Sequence, residues 1–149
     1  MSINISSFNL RGFRSGVSML RELCNNHSIV GIQEHWLRPD ELSKLSVTDT
    51  NFECPSASGM SGALTRGALT GRPFGGVAFL WHSSLSNCIE VVNNDIEGRC
   101  CVIKLNLINR TVLFFNLYLP CFDGSSEYKN DLCFYAGFIT DVLESVDHN

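Results

Sequence analysis

A chain of 149 residues, 44% hydrophobic and 17% charged, has the material for one domain with a real core and too little for two of ordinary size. The formal net charge of −4 argues against tight, purely electrostatic nucleic-acid binding, although the excess is uneven: residues 1–82 carry seven Lys/Arg against six Asp/Glu, and residues 83–149 four against nine. Seven dispersed cysteines without a Cys-x-x-Cys pair fit free thiols in a reducing compartment better than a disulfide framework or a zinc site.

The N-terminus lacks a basic segment followed by an apolar run, and no stretch is apolar for long enough to span a bilayer. The expectation is a chain of the nucleus or cytoplasm that does not enter membranes.

In chain order, Ile3 and Ile5 alternate with polar neighbours and predict a strand over residues 2–8. Asn9 follows it, where a short amide can bind a ligand, orient a carboxylate or close a turn. Ser15 reads as the cap of a helix through Cys24 whose core face is Val17, Leu20 and Cys24, ended by Asn25 and Asn26. A strand over Ile29 to Gln33 comes next, apolar enough to be buried on both faces, and the run then switches abruptly to Gln33, Glu34 and His35. Strand, helix, strand is a βαβ-like unit; with parallel strands it places Asn9 and Glu34 at one edge of the sheet. A carboxylate at a strand's carboxyl end can hold a divalent metal through oxygen, or can be a solvated loop glutamate.

Pro39-Asp40-Glu41-Leu42 predicts a short helix start. Residues 56–75, rich in Gly, Ser, Ala and Thr and containing a small duplication at Gly62 and Gly67, read as one long mobile loop. Without a Gly-Lys-Ser/Thr after a strand, this loop is not a phosphate-cradling P-loop, while its Arg66 and Arg72 are candidate polyanion contacts. Gly75 to Trp81 predicts a strand with glycines where the backbone passes close to something. Cys101 to Leu107 and Thr111 to Leu119 predict an antiparallel hairpin, with Asn116 and Tyr118 on the face of Val112 and Phe114. A tyrosine at such a strand end can reach a phosphate oxygen or satisfy a core. Tyr128, Leu132, Tyr135, Ile139, Val142 and Val146 form the clearest helical stripe, beginning at Ser126.

Four stretches in order then carry a resemblance: Ile5-Ser-Ser-Phe-Asn9-Leu-Arg-Gly12, Val30-Gly-Ile-Gln33-Glu34-His35, Gly71-Arg-Pro-Phe-Gly-Gly-Val-Ala78 and Phe115-Asn-Leu-Tyr118-Leu-Pro120. Together they resemble the first half of an endonuclease/exonuclease/phosphatase domain, most closely the apurinic-endonuclease-like domain of LINE-type retrotransposons. The resemblance implies an α/β (α+β) fold, half of a DNase I-like four-layer α/β sandwich with mixed sheets, spanning residues 1–149 as one partial domain. It implies a Mg²⁺- or Mn²⁺-dependent phosphodiester hydrolase that nicks DNA, and a reverse transcriptase domain in the same parent polypeptide. By position, Glu34 resembles the metal-binding carboxylate, Asn9 the asparagine that orders the active-site carboxylates and water, and Tyr118 the tyrosine that contacts the scissile phosphate.

The sequence departs from that family in lacking the Gly-Asp-x-Asn motif and the late Asp-His pair of the second half; Asp147-His148 directly follows a helix instead of a late strand. Cys121 stands where relatives of the DNA-repair type carry asparagine. The chain is thus expected to be a truncated, catalytically incomplete half. The alternatives are a sugar- or lipid-phosphate phosphatase of the same superfamily, and a non-catalytic relic or interaction module that self-associates through an exposed sheet edge.

Overall fold

The computed structural model describes residues 2–60, 75–95 and 97–147. It comprises two units, Met1–Tyr118 and Leu119–Asn149. The first contains β1 (Ile5–Asn9), α1 (Phe13–Asn26), β2 (Ile29–Gln33), a 3-10 turn (Pro39–Glu41), α2 (Ser43–Ser46), β3 (Phe52–Ser58), β4 (Val77–His82), a second 3-10 turn (Ser83–Leu85), β5 (Ile89–Asn94), β6 (Cys100–Leu107) and β7 (Arg110–Leu117). The second contains α3 (Ser126–Asp147).

The strands form two sheets. One is mixed, in the order β1-β2-β4-β3, with β1 and β2 parallel and the other pairs antiparallel; the second, β5-β6-β7, is antiparallel throughout. Only the first sheet therefore has the mixed character expected of both.

β2 supplies the reason for the layering. Val30 and Ile32 join Leu20 and Cys24 of α1, Leu45 of α2 and Leu80 of β4 in one apolar layer. Ile29, on the opposite face, joins Val77, Phe79 and Trp81 of β4 against Cys101, Ile103 and Leu105 of β6. Both faces of the strand are buried, as its continuous apolar run requires. Gly31 leaves room between the sheets: a Cβ there would lie 3.1 Å from Phe79 and 3.5 Å from the Asn116 amide.

Several expectations are corrected. Ser15 does not cap α1; the cap position is Gly12, at φ 102°, and Ser15 Oγ donates back to the carbonyls of Arg11 and Gly12 at 3.1 Å each. Gly16, not Val17, fills the tight position of α1, because a Cβ there would meet Leu10 Cδ1 at 2.6 Å. Residues 56–58 belong to β3 and not to the loop; Arg66, Arg72 and the duplication lie outside the described residues. The hairpin is β6–β7, with its expected face intact, and β4 begins at Val77.

In the second unit, Ser125 Oγ accepts the Tyr128 N–H at 3.2 Å and so caps α3. The stripe residues Tyr135 and Val142 are buried, while Tyr128, Leu132, Ile139 and Val146 are half-buried. The seven cysteines are free thiols, and burial pushes Cys24, Cys54 and Cys100 up to about 12, which makes them poor nucleophiles.

Candidate active site

β1 and β2 run parallel with Asn9 opposite Gln33, so the segments that follow them leave the same edge of the sheet. Main-chain hydrogen bonds lace these segments together: Leu10 N to Gln33 O at 2.7 Å, Gly12 N to Glu34 O at 2.8 Å and Phe13 N to His35 O at 2.8 Å. Among the described residues, those other than glycine with positive φ are Arg11 (51°), Glu34 (55°) and Trp36 (57°), all in these two segments. A residue with a Cβ pays about 1–3 kcal/mol for such a backbone, and keeps it where the surroundings leave no alternative. The lacing supplies that constraint.

Glu34 follows β2 immediately and is half-buried. The hydroxyl of Tyr118, next after β7, donates to its Oε1, so the carboxylate and phenol expected at the site are in direct contact. Tyr118 is fixed in turn by Arg99: its N–H donates to Arg99 O at 2.7 Å, Arg99 Nη1 donates to Tyr118 O at 3.1 Å, and the guanidinium carbon lies 5.5 Å from the ring centroid. Arg99 was not singled out from the sequence; it is a single cation ahead of an apolar strand, and only the β6–β7 pairing brings it to Tyr118.

Asn9, at the edge where the site was expected, also closes a turn. Its Oδ1 accepts the Arg11 N–H at 3.1 Å, which makes it the structural partner of the strained Arg11. The amide that reaches the centre of the sandwich is Asn116, buried at 4% exposure. Its Nδ2 donates to Ile32 O at 2.9 Å and Ala78 O at 2.8 Å, and its Oδ1 accepts from Gln33 Nε2 at 2.6 Å. With every polar atom satisfied, this amide clamps β7 onto β2 and β4 one residue before Glu34.

Next along the chain from Glu34, His35 is fully buried. Its Nδ1 accepts the Leu37 N–H at 3.0 Å, which leaves Nε2 as the protonated nitrogen donating to Ser58 O at 3.1 Å. Burial drives its pKa down to about 4, against the smaller upward pull of backbone hydrogen bonds from Ser58 and Val77. The unfolded imidazole binds its proton near the ordinary value of about 6.5, so the unfolded state takes up protons first. The stabilisation is full above pH 6.5 and is lost as pH falls toward 4. Urea unfolding at pH 7.5 and pH 4.5 is expected to differ by about 2–3 kcal/mol from this group, with the His35 ring resonances shifting only near pH 4.

Among the described residues, no three His, Cys, Asp or Glu side chains form a cluster that could hold a metal. The chemistry of the donor set still fits one mode of binding. Glu34 presents a hard oxygen, Oε2, outside its bond to Tyr118, and Mg²⁺ commonly binds through one or two carboxylates while waters and substrate phosphates complete its shell.

No protein-family model and no curated protein matches the sequence. Solved structures do. The chain is similar to the AP endonuclease LMAP from Leishmania major (14% identity, TM-score 0.61), covering 79% of this chain and 40% of that one. It is similar to a variant of the 3′ phosphatase NExo from Neisseria bound to product DNA hairpin (15% identity, TM-score 0.65; 98% and 53%). It is also similar to the catalytic domain of Xenopus laevis APE2 (21% identity, TM-score 0.60; 87% and 49%). The chain thus spans about half the length of these proteins, and its fold is the corresponding half of the DNase I-like AP endonuclease fold.

Proposed function

We propose that this chain supplies the metal- and phosphate-binding half of a DNA-cleaving phosphodiesterase. The observation that carries the reading is the contact between the Tyr118 hydroxyl and the Glu34 carboxylate, held at the carboxyl end of β2 within a DNase I-like half-fold. The structural neighbours include an AP endonuclease and a 3′ phosphatase with product DNA, which supports DNA as the substrate. The resemblance of Val30-Gly-Ile-Gln33-Glu34-His35 and its companion stretches narrows the reading to a LINE-type endonuclease, with a reverse transcriptase in the parent polypeptide.

In this reading Glu34 would hold Mg²⁺ or Mn²⁺ through its carboxylate. The bound ion supplies charge neutralisation for the phosphodiester. On substrate binding the Tyr118 O–H would turn from Glu34 Oε1 to a non-bridging phosphate oxygen, while Arg99 keeps the tyrosine ring in place, so that only the hydroxyl rotates. Asn9 shapes the loop beside them by holding Arg11. Activation of the attacking water and protonation of the leaving oxygen are assigned to groups outside this set.

The test is nicking of supercoiled plasmid in Mg²⁺, by the 149-residue chain and by the longest reading frame that contains it, each with Glu34→Gln alongside. The reading expects no nicking by the 149-residue chain alone, and Mg²⁺-dependent nicking by the longer frame that Glu34→Gln removes. Nicking that Glu34→Gln leaves unchanged, or none at either length, contradicts it.

A further inference from the structure

A cavity of about 450 Å³ opens beside the strained loops, on the side of Glu34 where α1 begins. Its walls include Phe13, Arg14, Trp36, Leu37, Arg38 and Met60. Pockets for small organic ligands occupy roughly 300–1,000 Å³ and are mostly apolar with a few placed polar groups, and this one matches that description.

Three observations give the cavity a chemistry. Trp36 holds one of the three strained backbones, at φ 57°, and its ring lies against Gly12, where even a methyl group would come within 2.6 Å. The aromatic wall is therefore set by main-chain geometry and does not swing freely. Second, the cations at the rim are not equivalent. Arg38 is paired with Asp40 at 2.9 Å and Lys44 with Glu41 at 2.5 Å, whereas exposed Arg14 makes no ion pair among the described residues. Third, Trp36 is two residues from Glu34, and Gly12, also in the wall, donates its N–H to Glu34 O at 2.8 Å. A chain of nucleotides whose phosphate reaches Glu34 passes this opening.

We propose that the cavity receives one unpaired DNA base, stacked against Trp36, with the adjoining phosphate on Arg14; this rests on the DNA-cleaving reading above and assigns it a preference for unpaired strand beside the cleavage position. Aromatic stacking takes any base, and a cation beside it takes the backbone, the combination by which proteins hold single strands. A volume of about 450 Å³ is enough for a single base, and a base can lay its face on Trp36 only when it is out of its pair.

The chain contains two tryptophans, Trp36 and Trp81, and Trp81 is buried at 2% exposure, so quenching of tryptophan emission reports on Trp36. The experiment titrates a short oligothymidylate, and separately a blunt duplex of equal charge, into the chain in EDTA, where no cleavage can occur. The expected result is quenching by the single strand at concentrations about tenfold lower than by the duplex. Arg14→Glu, at an exposed position that leaves folding intact, is expected to weaken binding about tenfold and to lower the salt slope by about one. Equal quenching by duplex, no quenching by either probe, or unchanged affinity in Arg14→Glu overturns the proposal. Glu34→Gln separates the two readings: quenching retained with Glu34-independent nicking defeats only the proposed function, and Glu34-dependent nicking without quenching defeats only the pocket.

Discussion

Gly76→Val is expected to destabilise the first unit by about 3 kcal/mol or more, a large share of the roughly 5–15 kcal/mol that holds an ordinary domain folded. Gly76 sits at φ 86°, and a Cβ there would come within 2.6 Å of His35 Nδ1 and 2.8 Å of its Nε2. Contacts that short must be relieved by movement, and neither partner can move cheaply. The imidazole is fixed through both ring nitrogens, to Ser58 O and Leu37 N. Gly76 is fixed through its N–H to Gly98 O at 2.7 Å, and through its carbonyl to His35 N at 3.3 Å. The left-handed backbone adds its own penalty for a β-branched residue. Gly137→Ala provides the control, since that glycine lies inside α3 with nothing within 4 Å of a new Cβ. Helix propensity alone then applies, and the change is expected to be neutral or to stabilise by up to about 1 kcal/mol. Urea unfolding of the two variants beside the wild type measures both effects.

The second large effect is functional. Glu34→Gln keeps the size and the hydrogen-bond acceptor that Tyr118 uses, but removes the negative charge at the end of β2. Stability is expected to change by less than about 1 kcal/mol, because the group is half-buried at a loop and not in the core. Nicking is expected to fall roughly 100-fold or more, the usual consequence of removing a group that stabilises charge in the transition state. Tyr118→Phe tests the partner. With Glu34 still charged, it is expected to lose roughly 100-fold, the lower end of the loss on removing one donor to developing negative charge. A comparably large loss of unfolding stability in Glu34→Gln would instead mark the carboxylate as structural.

The parts of the fold that were legible in the sequence are those whose burial writes a pattern. β2 is apolar on both faces and was placed from Ile29 to Gln33; the β6–β7 hairpin alternates and was placed with its inner face correct. β3 and β5 left no such pattern. β3 carries Pro55 among small polar residues and shifts register between Glu53 and Ser56, while β5 shifts between Val91 and Asn93. Both are edge strands, where a proline or a bulge is tolerated and periodicity is lost. The same distinction governs the site. Glu34 stood out because polarity changes abruptly at a strand end, and Tyr118 because it continues an inward alternation. Arg99, Asn116 and His35 depend on approaches between distant segments, such as Gln33 to Asn116 at 2.6 Å, that no local spacing encodes. Asn9 occupies the expected edge, with its Oδ1 accepting the Arg11 N–H.

The most direct test of the account is where a paramagnetic divalent ion settles. Mn²⁺ titrated at low concentration into isotopically labelled chain broadens NMR signals of nuclei close to it. The account expects broadening centred on Gln33, Glu34, His35 and the Tyr118 ring, abolished in Glu34→Ala. Broadening that is unchanged in Glu34→Ala, or centred on the carboxylates of exposed Asp40 and half-buried Glu41, would contradict a metal-dependent centre at the end of β2.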